Sequence, residues 1–128
     1  MNRIEKPLMW MGSSKKDLIS LPRAIQQFFG YALNLAQIGE KANDAKPLKG
    51  FGSAGVLEVI EDLQGNTYRA VYTVKFHDAV YVLHCFQKKS TSGIATPKSD
   101  MELIKSRLKM AELLSKQSLE RDKNDRVR

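Results

Sequence analysis

The amino-acid sequence predicts a small α+β domain with the element order β-α-α-β-β-β-α. Three observations favour this class. The segment after Pro22 repeats apolar residues at every third or fourth position, which is typical of a helix packed along one side. Three later segments rich in valine and tyrosine are separated by short turn sequences, which predicts an antiparallel meander. The segment after Pro97 returns to helical spacing.

Length and charge set the first limits on function. The 128 residues suffice for one domain with a hydrophobic core. The net charge of +7 favours a polyanionic partner, although solubility alone explains it equally well. Cys85 is the single cysteine and lies in an apolar strand pattern, so we expect a buried, inert thiol. The apolar stretch Leu8–Met11 is too short for a signal peptide or a membrane span, so we expect a cytoplasmic protein.

The N-terminal third predicts a strand followed by two helices. The strand is expected at Lys6–Met11. Ser14, with Asp17 in the first turn, indicates the start of a short helix that ends before Pro22. Pro22 suits the first turn of a longer helix, which we expect to reach about Ala42. Its buried stripe consists of Ile25, Phe28, Phe29, Ala32, Leu35, Ala36 and Ile38.

The remainder predicts a loop, three strands and a last helix. Glycine and proline mark residues 45–55 as a loop. The strands are expected at Val56–Leu63, Thr67–Phe76 and Ala79–Gln87. Pro97 opens the last helix, and Ser99 with Glu102 has the spacing of a capping box. From about Lys116 charges alternate, so we expect one domain over residues 1–115 and a frayed or disordered tail over residues 116–128.

Arg69 is the first candidate site residue, because it interrupts an apolar strand. Strand alternation places it on the face that also holds Val71 and Thr73. Burying a guanidinium is costly unless an anion accompanies it. The sequence leaves two readings equally open: a salt bridge to Glu58 or Glu61 on the adjacent strand, or a phosphate ligand.

The second candidate is the basic run at the end of the third meander strand. Lys88 and Lys89 are adjacent, so they point to opposite faces and only one is expected to join Arg69. A solvated strand end is the ordinary reading of such a pair. Ser90, Thr91 and Lys98 fall in the same short stretch, and the helix start adds free backbone amides, so together they favour an anion site.

Other chemistry finds no support in the sequence. His84 has the pattern of a packing histidine, and His77 is expected to be exposed in a turn. No histidine has metal-ligand spacing with another histidine, a cysteine or a carboxylate, so we expect no metal. Neither a glycine-rich phosphate loop nor a nucleophile elbow is present, and we expect no cofactor.

Several segments together resemble a known family. They are Gly55–Val59, Asn66–Tyr72, Val82–Ser90, Thr96-Pro97 and Ile104–Arg107, within a similarity that extends from about Lys6 to Glu112. The strand arginine and the Phe-x-Lys-Lys motif at residues 86–89 are the most specific parts. On these residues the chain resembles the HigB-like branch of the RelE/ParE toxin superfamily, whose members are often described as phage-related proteins.

The resemblance implies a RelE-like fold and the toxin of a type II toxin–antitoxin pair. Such toxins are ribosome-dependent mRNA endonucleases that cleave without a metal, by attack of a 2′-hydroxyl on the neighbouring phosphate. It implies that Arg69 holds the scissile phosphate, that Lys88 or Lys89 binds phosphate or moves a proton, and that Ser90, Thr91 and Lys98 make further RNA contacts. We slightly favour Lys89. The implied partners are the ribosome, its mRNA and a helix-turn-helix antitoxin.

Alternatives of other classes remain open. Superfamily members of the ParE type inhibit gyrase on the same scaffold, so the fold does not determine the activity. The chain has no tyrosine after Tyr81, where RelE carries one near its site. An inactive, antitoxin-binding relic and a plain basic RNA-binding protein are the further readings.

Overall fold

The computed structural model describes residues 5–52, 55–88 and 96–127. Over these ranges the chain forms one five-stranded sheet with the strand order β1-β5-β4-β3-β2. None of the helices in these ranges is both long and apolar enough to cross a bilayer. In chain order the elements are β1 (Leu8–Trp10), α1 (Ser14–Ile19), α2 (Arg23–Gln37), β2 (Lys46–Pro47), β3 (Val56–Leu63), β4 (Asn66–Thr73), β5 (Val80–Lys88) and α3 (Lys98–Val127).

The sheet confirms the predicted α+β class and its meander. β3 has the predicted bounds, and β4 pairs antiparallel with both β3 and β5. The sheet as a whole is mixed, because β1 pairs parallel with β5. A parallel partner needs a long crossover, and α1 with α2 supply part of the chain between these strands. The prediction of a plain loop over residues 45–55 was wrong at Lys46–Pro47, which pairs with β3 as a short edge strand.

The ends of α1 and α2 differ slightly from the predicted ones. α1 begins at Ser14, and the cap position falls on Ser13, whose hydroxyl lies 2.7 Å from an Asp17 carboxylate oxygen. α2 ends at Gln37, short of the predicted Ala42. The reason is a Schellman motif: Gly39 has a φ of 82°, its amide donates to the Ala36 carbonyl, and the Glu40 amide donates to the Leu35 carbonyl.

α3 begins where the proline predicts, since the Met101 amide donates to the Pro97 carbonyl at 3.0 Å. The helix then continues to Val127 through the segment for which we expected a frayed tail. Good helix formers and an exposed Glu112–Lys116 pair at helical spacing favour this continuation. The side chains of residues 120–125 are all exposed. A domain boundary at residue 115 stays a prediction.

Each face of the sheet has its own core. On one face, called here the α2 face, α1 and α2 cover β-strand residues such as Val59, Ala70 and Val82. On the other, called the α3 face, α3 covers Val71, Leu83 and Phe86. An irregularity in the β4–β5 pairing between Val71 and Tyr72 shifts the register there. As a result Leu83 and His84 both belong to the α3 side of β5, which simple alternation would not give.

Candidate functional site

The register of the meander gathers polar side chains on the α3 face. Arg69 of β4 lies opposite Ile60 of β3 and Phe86 of β5. Residues directly opposite each other in antiparallel strands share a face, and so do their neighbours two positions along each strand. The polar members of this face near Arg69 are Glu58, His84 and Lys88, and the start of α3 lies over them through Thr96 and Asp100.

Arg69 is buried and tightly held. Its side chain is 4% exposed, and its Nη1 lies 3.1 Å from the Glu58 Oε2. The same Nη1 donates a 2.7 Å hydrogen bond to the Thr96 hydroxyl. The structure therefore realises the salt bridge that the sequence allowed, with Glu58 as the partner. It also joins the strand arginine to the residue that immediately precedes Pro97.

His84 and Asp100 form a second pair beside Arg69. The His84 Nε2 lies 2.8 Å from the Asp100 Oδ1, and the imidazole stacks on Phe86 with ring centroids 4.3 Å apart. The His84 Nδ1 is buried and has no hydrogen-bond partner among the described residues. A carboxylate that holds one ring nitrogen fixes the orientation of the imidazole. This pair is therefore suited to proton transfer.

The predicted lysines are placed only in part. Lys88 is half-buried at the end of β5, opposite Thr67, and shares the face of Arg69. Lys98 is exposed at the first position of α3. Lys89, Ser90 and Thr91 lie outside the described residues, so their roles and the preference for Lys89 over Lys88 stay predictions.

The sequence reasoning missed Thr96, His84 and Asp100 as members of one cluster. His84 was interpreted as a packing residue, and it is indeed buried, but it also binds a carboxylate. Strict alternation from the start of β5 assigns His84 to the α2 face. The signal that would correct this is the register shift near Val71, which depends on the pairing of two strands and is not visible within either one.

α3 is fixed over the site by polar contacts further along. The Arg107 Nη1 donates to the Leu83 carbonyl at 2.8 Å, at the irregular part of β5. Two turns further along the helix, Ser115 donates to Asp78 at 2.8 Å, and Asp78 also accepts a hydrogen bond from Tyr81 at 2.7 Å. These contacts attach both halves of α3 to the sheet, and so they determine where its first turn lies.

Cys85 is not a nucleophile in this fold. It is buried among apolar residues on the α2 face, as the sequence predicted. Burial raises the pKa of the Cys85 thiol to about 12, so it stays protonated at neutral pH. Among the described residues, no group of three or more histidines, cysteines, aspartates or glutamates is arranged to hold a metal ion.

The fold and the cluster define the class of protein. An α+β meander with helices on both faces and a terminal helix over its polar side has the architecture of the RelE-like fold. A family model described as "Phage derived protein Gp49-like (DUF891)" matches residues 16–109. The chain therefore belongs to the phage-derived Gp49-like family, a RelE/HigB-like toxin family. A search of curated proteins and a search of solved structures gave no match to this chain.

Proposed function

We propose that this chain is the toxin of a type II toxin–antitoxin pair, of the HigB-like branch, and that it cleaves ribosome-bound mRNA. The family membership is compatible with a toxin of such a module. The observation that carries the finer proposal is the position of Arg69, Lys88 and the His84–Asp100 pair on one face of the sheet, all inside the matched segment. Together they supply positive charge for a phosphate and a group that can move a proton.

The chemistry follows from these side chains. Cleavage requires a base to remove the proton of a 2′-hydroxyl, whose oxygen then attacks the adjacent phosphorus. The 5′-oxygen of the next nucleotide leaves and takes up a proton. Arg69 and Lys88 or Lys89 would stabilise the charge that develops on the phosphate oxygens. His84, oriented by Asp100, is a candidate for one proton transfer, and the lysine pair is a candidate for the other.

RNA binding has a specific structural requirement at Arg69. Its Nη1 already donates to Glu58 and to Thr96. A phosphate oxygen would accept from Nη1 in place of the Thr96 hydroxyl, while Glu58 keeps the guanidinium oriented. We therefore expect the segment around Thr96 to move away from Arg69 when RNA binds. Ser90, Thr91 and Lys98 would then contact flanking phosphates.

The test is controlled expression of the wild type beside single variants, with mapping of new mRNA 5′-ends. Arg69→Lys keeps the positive charge beside Glu58 but loses the planar set of guanidinium donors. Lys88→Ala and Lys89→Ala each remove one lysine of the pair, so that the contribution of each is measured separately. Loss of one charge-stabilising donor should slow cleavage about 100-fold. Lys15→Ala, an exposed lysine on α1, is the matched control and should cleave like the wild type. Unchanged mRNA ends with all proteins, wild type included, would overturn the proposal.

A specific observation supports a second candidate, a non-cleaving module such as a gyrase inhibitor or an antitoxin-binding relic. Arg69 is buried and paired with Glu58, as a purely structural arginine would be. This candidate predicts that wild-type expression leaves mRNA intact. A gyrase inhibitor would in addition cause DNA breaks and induce the SOS response, whereas a relic would do neither.

The proposed partners are the ribosome and a cognate helix-turn-helix antitoxin. An adjacent reading frame that encodes a short helix-turn-helix protein would support the pairing. Coexpression of that protein should restore growth and should yield a stoichiometric complex on purification. Growth arrest that persists in the presence of the neighbouring protein would count against the antitoxin assignment.

A further inference from the structure

α3 has apolar residues on two opposite sides. One side packs on the sheet through Ile104, Leu108 and Ala111, and a helix packed on a single sheet needs no second apolar side. Leu103, Met110 and Leu113 nevertheless lie on the outer side, 36%, 50% and 54% exposed. Leu119, also on α3, is 40% exposed, and the other exposed large apolar side chains in the described ranges are distributed over β1, α1, α2 and the residue after β4. Exposure of this kind is thus concentrated on α3.

The outer residues follow the spacing of a coiled-coil seam. Leu103, Ser106, Met110, Leu113 and Gln117 alternate at intervals of three and four, all are uncharged, and all are exposed. This outer stripe, as we call these five residues, has the a/d periodicity with which one helix packs against another. Glu120 occupies the next seam position, so a charged residue ends the apolar surface there, while Glu102 lies on one flank, seven residues before Lys109.

The flanks of the outer stripe are mainly basic. Lys109 and Lys116 occupy successive positions of one flank, at the spacing where coiled-coil partners place complementary charges. The Lys116 side chain is 70% exposed, and its Nζ lies 3.4 Å from a Glu112 carboxylate oxygen at the surface. Arg107 and Arg121 lie on the other flank, although Arg107 is already bound to β5. A second copy of this helix would bring like charges together, whereas glutamates on a partner helix would match them.

The length of α3 gives an independent reason to expect a partner. Its 30 residues correspond to about 45 Å of helix, while the eight or nine residues of β4 and β5 span roughly 30 Å. The side chains of residues 120–125 are exposed. A helix end that packs against nothing is only marginally stable in water. A second helix along the outer stripe would pack against α3 up to Gln117 and would stabilise the helical turns from which this end continues.

We propose that the outer stripe of α3 is a docking surface for an acidic amphipathic helix of another protein. The partner helix would place leucine or isoleucine against Met110 and Leu113, and glutamate or aspartate against Lys109 and Lys116. The surface is on the side of α3 turned away from Arg69 and His84. The proposal therefore does not depend on nuclease activity, and its test measures binding alone.

The probe is a synthetic helix of about four heptads with leucine and isoleucine at the seam and glutamate on both flanks. Titration into the ¹⁵N-labelled protein should shift the amide resonances of residues 103–117, and raising the salt concentration should weaken binding. The same peptide with lysine in place of glutamate should bind at least about tenfold more weakly. Equal binding of the two peptides would overturn the charge argument.

One double variant and a matched control locate the surface. Met110→Glu combined with Leu113→Glu should weaken binding of the glutamate peptide by at least about tenfold. Ile19→Glu places a negative charge at an apolar side chain of α1 that is 59% exposed. This control should leave binding of the glutamate peptide unchanged. Glutamate is a good helix former, so circular dichroism and melting should show that all variants fold.

A charge reversal completes the test. Lys109→Glu combined with Lys116→Glu should reverse the preference, so that the lysine peptide binds better than the glutamate peptide. Three results would overturn the proposal: no resonance shifts with the glutamate peptide, shifts confined to the surroundings of Arg69 and Lys88, or a wild-type homodimer in sedimentation that the Met110→Glu and Leu113→Glu pair dissociates. The last result would assign the stripe to a second copy of this chain.

Discussion

The two faces of the sheet bury polar groups in different ways. On the α2 face the buried polar atoms include the Cys85 thiol and the Tyr72 hydroxyl, and the Tyr72 oxygen has no hydrogen-bond partner among the described residues. Burial raises the pKa of Tyr72 to about 12, as it raises that of Cys85, so both groups stay neutral. On the α3 face the buried polar groups include two ionisable pairs, Arg69 with Glu58 and His84 with Asp100.

The difference follows from the cost of desolvation. A neutral hydroxyl or thiol can be buried without a partner for a few kcal/mol, whereas an isolated ion cannot be kept charged in an apolar core. The α2 face therefore serves packing. The α3 face holds paired ionisable side chains at the point where α3 begins, so the candidate chemistry belongs to that face.

The largest expected effect tests the packing face. Phe29 of α2 is fully buried there, and Phe29→Ala should lower the free energy of unfolding by about 3–5 kcal/mol through lost burial and a cavity. Tyr31→Ala on the same helix, at a side chain 66% exposed, should cost less than about 0.5 kcal/mol. Chemical denaturation measures the loss in free energy of unfolding for each variant. Similar losses at the two positions would contradict the assignment of the α2 face as the packing core.

The next effect tests the ion pair of the α3 face. Arg69→Met should lower the free energy of unfolding by about 3 kcal/mol, because it leaves the Glu58 carboxylate without its positively charged partner in a poorly solvated position. Adding Glu58→Leu should recover much of this loss, since no charge then remains. A double-mutant cycle in denaturant measures the coupling. Strict additivity of the two changes would mean that the pair does not act as a unit.

A pH titration tests the neutral thiol of the α2 face. The Cys85 pKa rises from 9.0 to about 12 on folding, so above pH 9 the unfolded chain loses a proton that the folded chain keeps. The contribution of Cys85 to the free energy of unfolding is therefore complete below pH 9 and is lost as the pH rises. The loss from this group between pH 8 and pH 10 should be about 1.4 kcal/mol. Cys85→Ala should reduce the dependence of the free energy of unfolding on pH in this window. A pH dependence equal to that of the wild type would contradict the prediction.

The smallest expected effect concerns Tyr72. Tyr72→Phe removes a buried hydroxyl that has no partner among the described residues, so the free energy of unfolding should stay equal or rise by about 1 kcal/mol. Thermal melting at neutral pH measures the change. Destabilisation by more than about 1 kcal/mol would indicate that the hydroxyl does have a hydrogen-bond partner.

The sequence by itself determined most of the local elements. Turn residues between apolar runs set the meander, and the bounds of β3 follow from them directly. Pro22 and Pro97 mark the starts of α2 and α3 because proline is compatible with a first helical turn and not with an interior. The spacing of β3 and β4 along the chain also gave Glu58 and Glu61 of β3 as the candidate acidic partners of Arg69. These features depend on neighbours along the chain.

Only the tertiary structure decided what depends on distant residues. It paired β1 with β5, selected Glu58 over Glu61 for Arg69, and moved His84 to the α3 face through the register shift opposite Val71. It also placed Thr96 and Asp100 over that face. The pairing register and the helix position are set by packing across the whole sheet, and no pattern within a single strand contains that information.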